Sequence, residues 1–392
     1  NIIPVFFTKL KIFYPLTIVN PKVSRMQDPL SFRIFKSCKK DYNTIIRQDT
    51  AFQNSRIKEA YKTIFCRENV SMDQKDILII HGTDYKNMAK KILERADVAS
   101  DIGDPMKKVA LKPNLVTAKS PSEGATTHSE LLAGAVEYLK EHGFQNIFIM
   151  EGSWVGDHTG DAFRAAGYQK VCERYDVPFI DLQKDSWKEY DAAGMRIKLC
   201  DQAASVDYMI NMPVLKGHCQ TLITCALKNN KGVIPNSEKR RFHTLGLHNP
   251  IAHLNTIARN DFILVDNICG DLDFEEGGNP VIMNRVLGFK DPVLCDSYVC
   301  DCMGYSVDDV PYITIARDLG VGSTDTANAN LIYLNEAAPS KFPMTRRIKA
   351  LASYTDPQDA CSACYGSLSY ALDRLNASGY LKKSLPPIAI GQ

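Results

Sequence analysis

No stretch of this 392-residue chain approaches the ~18–20 consecutive apolar residues that a membrane span needs. Asn1 to Asn20 comes nearest, but Lys9 and Lys11 interrupt it. Lysines inside the apolar part are not the basic-then-apolar layout of a secretory signal. A phosphate-loop consensus, a serine-nucleophile elbow and an HExxH motif are all missing. Short repeats and low-complexity linkers are missing too, and a single CxxC rules out the tandem cysteine spacing of a bacterial ferredoxin. Residues 1–71 carry thirteen Lys/Arg against five Asp/Glu, while the rest carries 34 against 40. A mildly acidic body offers no electrostatic footprint for nucleic acid. The chain reads as a cytoplasmic protein with neither a nucleic-acid nor a membrane partner. With no secretory signal its twelve cysteines are not a disulfide framework, which leaves buried thiols plus a metal or redox site.

Ser71-Met72-Asp73 immediately precedes the first convincing strand, Asp76–His81. Residues 1–71 are therefore expected to be a non-native or disordered extension with Met72 as the start. Beyond them, strand-like and helix-like runs alternate. Strands are expected at Asp76–His81, Lys107–Lys112, Asn146–Met150, Val177–Asp181, Tyr208–Asn211, Phe262–Asp266, Val286–Phe289 and Leu331–Leu334. Helices are expected at Tyr85–Ala96, Ser129–His142, Asp161–Ala166, Thr221–Lys228, Pro250–Ala258, Pro292–Met303, Val310–Leu319, Met344–Ala352 and Gly366–Leu375. Such alternation points to a doubly wound, mostly parallel α/β fold. The expected organisation is a first Rossmann-like α/β lobe over 72–200, a second over 201–340, and a C-terminal helical segment over 341–392 that carries the CxxC.

Polar clusters sit at the strand exits, where an open α/β sheet places ligand chemistry. Pro213-Val-Leu-Lys216-Gly-His218 and Leu227-Lys228-Asn229-Asn230-Lys231-Gly232 crowd cations and amides after one strand. Cations held together are costly unless an anion sits among them. Lys112-Pro-Asn114 with Gly124-Ala-Thr126-Thr127 opens a helix whose free N–H groups add to an anion site, although Thr127 also suits a plain helix cap. Glu151-Gly152-Ser153 follows another strand, and Arg240-Arg241-Phe242-His243 supplies further basic groups. His218 is the candidate general acid/base, since its ordinary pKa is ~6.5 and nearby lysines would keep it neutral. Lys216 is placed beside it as a catalytic candidate. Asp271-Leu-Asp273-Phe-Glu275-Glu276 fits no calcium loop and reads as an ordinary acidic loop. Cys361-Ser-Ala-Cys364 opens a helix, as a redox pair or two legs of a metal site would. Cys269, with Cys300 or Cys302, is the candidate to complete it, although helical cysteines also suit a core.

In order along the chain, Lys112-Pro-Asn114, Gly124–Thr127, Glu151–Ser153, Pro213–His218, Leu227-Lys228-Asn229 with Gly232, Arg240–His243, and Asp291-Pro-Val with Asp296 resemble the domain-of-unknown-function-362 family from about Asp73 to Leu334. Some members carry an attached four-iron–four-sulfur module. This chain lacks that module and has Cys361 and Cys364 in its place. The resemblance thus implies an iron–sulfur cluster, or another metal, held by Cys361, Cys364, Cys269 and Cys300, together with an electron-transfer partner. An anionic small molecule would bind between the lobes through Lys112, Asn114, Thr126, Thr127, Glu151, Lys228, Asn229, Arg240 and His243. The layout is also similar to the two-lobed plan of the lactate racemase apoprotein family. The competing expectation is a non-redox enzyme or binding protein for a carboxylate or phosphorylated metabolite, with structural cysteines.

Overall fold

The computed structural model describes residues 72–335, 350–358, 360 and 362–391. The N-terminal extension, Cys361 and most of the helix expected at Met344–Ala352 lie outside the described residues. Eight strands make the main sheet. They are β1 (Asp76–His81), β2 (Val109–Pro113), β3 (Ile147–Glu151), β4 (Phe179–Asp181), β5 (Tyr208–Met212), β6 (Phe262–Asp271), β7 (Pro280–Phe289) and β8 (Asn330–Tyr333). Their order across the sheet is β8-β1-β7-β6-β5-β2-β3-β4. Only β7 runs against its neighbours, pairing antiparallel with both β1 and β6. The α/β class and the mostly parallel sheet read from the sequence are what the structure has. β5, from beyond the boundary expected near residue 200, pairs parallel with β2 from Val109↔Tyr208 to Pro113↔Met212. Strands of both expected lobes therefore share one sheet.

Alternation along the strands feeds two cores. Ile77 and Ile79 of β1 face one, with Ile263 and Val265 of β6. Leu78 and Ile80 face the other, with Phe262 and Leu264. The second core is covered by α1 (Tyr85–Ala96) and α2 (Ser129–Glu141), whose Leu131, Leu132, Ala135, Val136 and Leu139 form a buried helical stripe. The first is covered by α3 (Ala226–Asn229), α4 (Asn236–Thr244), α5 (Pro292–Met303) and α6 (Pro311–Asp318). Asp291 caps α5 by accepting from the Val293 and Leu294 N–H groups, Pro292 takes the first turn, and Gly304 at φ 70° ends it. The last helix, α7 (Ser362–Ala377), lies against the acidic loop through a Tyr370–Phe274 edge contact of 5.5 Å.

The helix expected at Thr221–Lys228 divides instead. Lys216–His218 and Leu222–Thr224 form a small hairpin, and α3 starts only at Ala226. Another hairpin, Trp187–Ala192 with Met195–Cys200, and α4 are not among the expected elements: Met195–Cys200 does alternate apolar and polar residues as a strand does, while α4 is largely polar.

The chain leaves β2 over the second core to reach β3, and leaves β5 over the first core to reach β6. Connections therefore part to opposite sides between β2 and β5. Such a switch point opens a crevice at the C-terminal ends of the strands.

Candidate anion-binding site

That crevice is where the lysines meet. Lys112 ends β2 with its side chain fully buried and donates to Glu151 Oε2 (2.7 Å), at the end of β3, and to the Pro113 carbonyl (3.1 Å). Burial pushes the Lys112 pKa down, and Glu151 opposes that shift. Lys216, also fully buried, donates to Asn114 Oδ1 (3.2 Å), Ala125 O (2.6 Å) and Glu275 O (2.9 Å). Its three protons are thus all used, and burial lowers its pKa to about 8. Asn114 Nδ2 donates to Asn229 Oδ1 (3.0 Å), and Asn229 Nδ2 donates to Asn211 Oδ1 (2.7 Å). An amide chain therefore ties the ends of β2 and β5 to α3.

Lys228 forms an ion pair with Glu275 Oε1, and His218 Nε2 lies 3.0 Å from Glu275 Oε2. Burial opposes the Glu275 charge, but Lys228 and His218 outweigh it and hold the carboxyl well below its usual range. His218 Nδ1 accepts from the Gln220 and Thr221 N–H groups, each at 3.0 Å. Its Nδ1 lone pair is therefore occupied, and its other nitrogen presents a proton to Glu275. Burial, then Lys228, drives its pKa to about 4. With both ring nitrogens engaged in this way, His218 is tied to Glu275 and to the Gln220–Thr221 backbone.

A cavity of about 70 Å³ opens above these groups. Its wall includes Glu151, Lys228, Lys231, Lys239, His243 and Glu275, with the half-exposed Trp154 at the rim. Lys239 Nζ donates to the Gly152 (2.8 Å) and Ser153 (2.9 Å) carbonyls, and burial lowers its pKa to about 8. Lys231 Nζ is 3.4 Å from His243 Nε2. Burial, then Lys228, brings Lys231 to about 7, while burial and Lys231 bring His243 to about 3. Among the described residues, neither Lys231 nor Lys239 has a carboxylate within 4 Å. Thr224 Oγ1 is buried on the same wall without a hydrogen-bond partner. Gly152 and Gly232 permit the close packing. A Cβ on Gly232 would fall onto Glu151 Oε1 and 2.7 Å from Lys112 Nζ.

Of the residues expected to bind an anion, Asn114, Glu151, Lys228, Asn229 and His243 line the cavity, and Lys112 and Lys216 lie directly behind it. Thr126 and Thr127 do not line it. Thr127 Oγ1 accepts from Asn114 N–H and donates to Met212 O, clamping β2 to β5, while Thr126 bonds Lys119 O. Arg240 is exposed on α4 and outside the cavity. Its neighbour Lys239 points inward instead, and Lys239 and His243, four apart, share one helical face. That spacing could have marked them both. Glu275, read from the sequence as part of an ordinary acidic loop, is the carboxylate at the centre.

Of the expected cysteine set, the described members Cys269, Cys300 and Cys364 do not come together. Cys269 packs in one core and Cys300 in the other, with the sheet between them. Cys364 is exposed on α7, and Cys302 lies by Arg285 (3.7 Å). A four-iron–four-sulfur cluster needs four thiolates around one volume. The group that does converge among the described residues is Cys225, Cys295 and Asp296, with ligand atoms within 4.8 Å of one another. It could hold a metal ion, but its two thiols do not suffice for such a cluster.

Residues 109–301 match the family described as Domain of unknown function (DUF362). This segment is a DUF362 domain. It contains every residue that lines the cavity. The thylakoid-associated protein sll1697 of Synechocystis sp. is 27% identical over 154 residues, which cover 39% of this chain and 47% of that protein. The match thus spans about half the length of that curated relative. The lactate racemase apoprotein from Thermoanaerobacterium thermosaccharolyticum superposes with a TM-score of 0.40 and 14% identity, over 60% of this chain and 59% of that one. Among the described residues, no helix is long and apolar enough to cross a membrane.

Proposed function

We propose that the DUF362 domain binds a small organic anion, a carboxylate or a phosphorylated metabolite, in the crevice at the ends of β2, β3 and β5. One observation carries this reading: Lys231 and the buried Lys239 line the cavity, and among the described residues neither has a carboxylate within 4 Å. Glu275 and Glu151 offset these charges only from beyond ion-pair distance, and an anionic guest in direct contact lowers the cost that remains. Thr224 Oγ1 adds an unpaired hydroxyl aimed at the same guest. A cavity of about 70 Å³ suits a ligand well below the ~300–1,000 Å³ of drug-sized sites. Glu275, Glu276 and Glu151 on the same walls reject a polyanion and favour one compact charged group. Lys231, lowered by burial and Lys228 to about 7, gains its full charge when an anion binds beside it.

No step in this reading passes through a cluster or a redox partner. The test is a thermal-shift screen of mono- and dicarboxylates and phosphate monoesters. A ligand at 100 times its Kd adds about 2.7 kcal/mol of stability, which is readily seen as a raised Tm. No shift from any member, or the same shift in Lys239→Met, rejects the reading.

A further inference from the structure

A second group, which the anion site does not use, lies where α3 packs against α5. Cys225 immediately precedes α3, which carries Lys228 and Asn229, and Cys295 and Asp296 sit on the facing side of α5. All three are fully buried, at 0% exposure. The two Sγ atoms are 3.8 Å apart, and the carboxylate of Asp296 lies within 4.8 Å of both. Two thiolates bound at about 2.3 Å to one tetrahedral ion are themselves about 3.8 Å apart. The thiols therefore already stand at the separation such an ion imposes.

Asp296 is held in place by its neighbours. Its Oδ1 accepts from Ala226 N–H (2.7 Å), its Oδ2 accepts from Leu227 N–H (3.3 Å), and Tyr312 adds a side-chain hydrogen bond. Each carboxylate oxygen keeps a lone pair beyond these bonds. Among the described residues no Lys, Arg or His pairs with it. Buried carboxylates without a cationic side chain are found as neutral acids or as metal ligands, and two adjacent thiols favour the second.

We infer that Cys225, Cys295 and Asp296 hold a single divalent transition-metal ion, zinc by ligand type, with a fourth position left to a small non-protein ligand such as water. Soft thiolates select zinc over magnesium or calcium. Binding deprotonates both thiols, and the Asp296 carboxyl where it is protonated, so two to three protons leave as the ion enters and no electron moves. The ion pins the start of α3 to α5 and thereby fixes the backbone that presents Lys228 and Asn229 to the cavity. This inference does not depend on the anion reading, since its readout is metal content.

The experiment expresses the full chain in zinc-supplemented medium, purifies it without chelator and measures metal by mass spectrometry. The expected result is about one zinc per chain, retained in Cys361→Ser/Cys364→Ser and lost in Cys225→Ala/Cys295→Ala. Cobalt exchanged into the wild-type protein should give thiolate-to-cobalt charge-transfer bands and the visible bands of a tetrahedral ion. The cobalt spectrum needs no variant, so a misfolded double mutant would not blunt the test. Wild-type protein without metal and without a cobalt spectrum overturns the inference. Zinc that follows Cys361 and Cys364 overturns it too, as does an intact mass short by two hydrogens that reductant restores, which would mark a Cys225–Cys295 disulfide.

Discussion

Lys112 and Glu151 are 39 residues apart in sequence and form a 2.7 Å ion pair in which the lysine side chain is 0% exposed and the glutamate 4%. The pair joins the ends of two adjacent parallel strands under the cavity. Breaking one half of a buried pair leaves the other charge uncompensated and costs about 3–5 kcal/mol. Glu151→Gln should therefore destabilise the protein by that order in chemical denaturation. Lys112→Met/Glu151→Gln, which removes both charges, should be more stable than Glu151→Gln. A double variant no more stable than the single would contradict the pairing.

Gly232 makes a similar test by shape rather than charge. Its missing Cβ is the space occupied by the Glu151 carboxylate, with Lys112 Nζ close behind. Gly232→Ala should cost about 1–3 kcal/mol by overpacking and should weaken anion binding together with stability. Calorimetry on the unliganded and liganded variant separates the two effects.

The lysines give stability and binding opposite pH dependences. Folding lowers Lys231 to about 7 and Lys216 and Lys239 to about 8, below the ordinary lysine value of 10.5. Between those values the unfolded chain holds more protons than the folded one, so stability without ligand rises as pH increases from about 7 to 10. A bound anion favours charged Lys231 and raises its pKa, so affinity is greatest below pH 7 and declines above it. Titration calorimetry at pH 7.5 in buffers of different ionisation heat should show proton uptake on binding. Proton release, or none, would remove Lys231 from the site.

How far the site was legible depended on range. Lys112, Lys216 and Lys228 stand out because the first closes an apolar strand and the others lie in the segment after another, and strand exits converge in this class of sheet. Lys239 was missed in favour of Arg240 because adjacent helical residues point about 100° apart, and the one clue to the phase of α4 is the four-residue spacing of Lys239 from His243. Glu275 looked like one acid among several, since only the fold brings its loop to Lys228 and His218. Cys225 and Cys295 are 70 residues apart and belong to different elements, so their contact has no local signature. The strands were clear where both faces are buried, as in β1 and β5. They were obscure in the outer half of β7, where Pro280 and Ile282 face solvent.

The helix phase of α4 yields its own prediction. Arg240→Ala changes an exposed side chain outside the cavity and should alter stability by no more than about 0.5 kcal/mol. His243→Gln, at the cavity wall beside Lys231, should by contrast shift the pH at which affinity declines. That shift is read from Kd measured between pH 6 and 9.

The most direct measurement of the central claim is calorimetric titration, at pH 6.5, of the most stabilising small anion into wild-type protein, Arg240→Ala and Lys239→Met. Equal affinity in the first two and a loss of at least about tenfold, or 1.4 kcal/mol, in the third is the result the account predicts. Unchanged affinity in Lys239→Met, or a loss confined to Arg240→Ala, would contradict it.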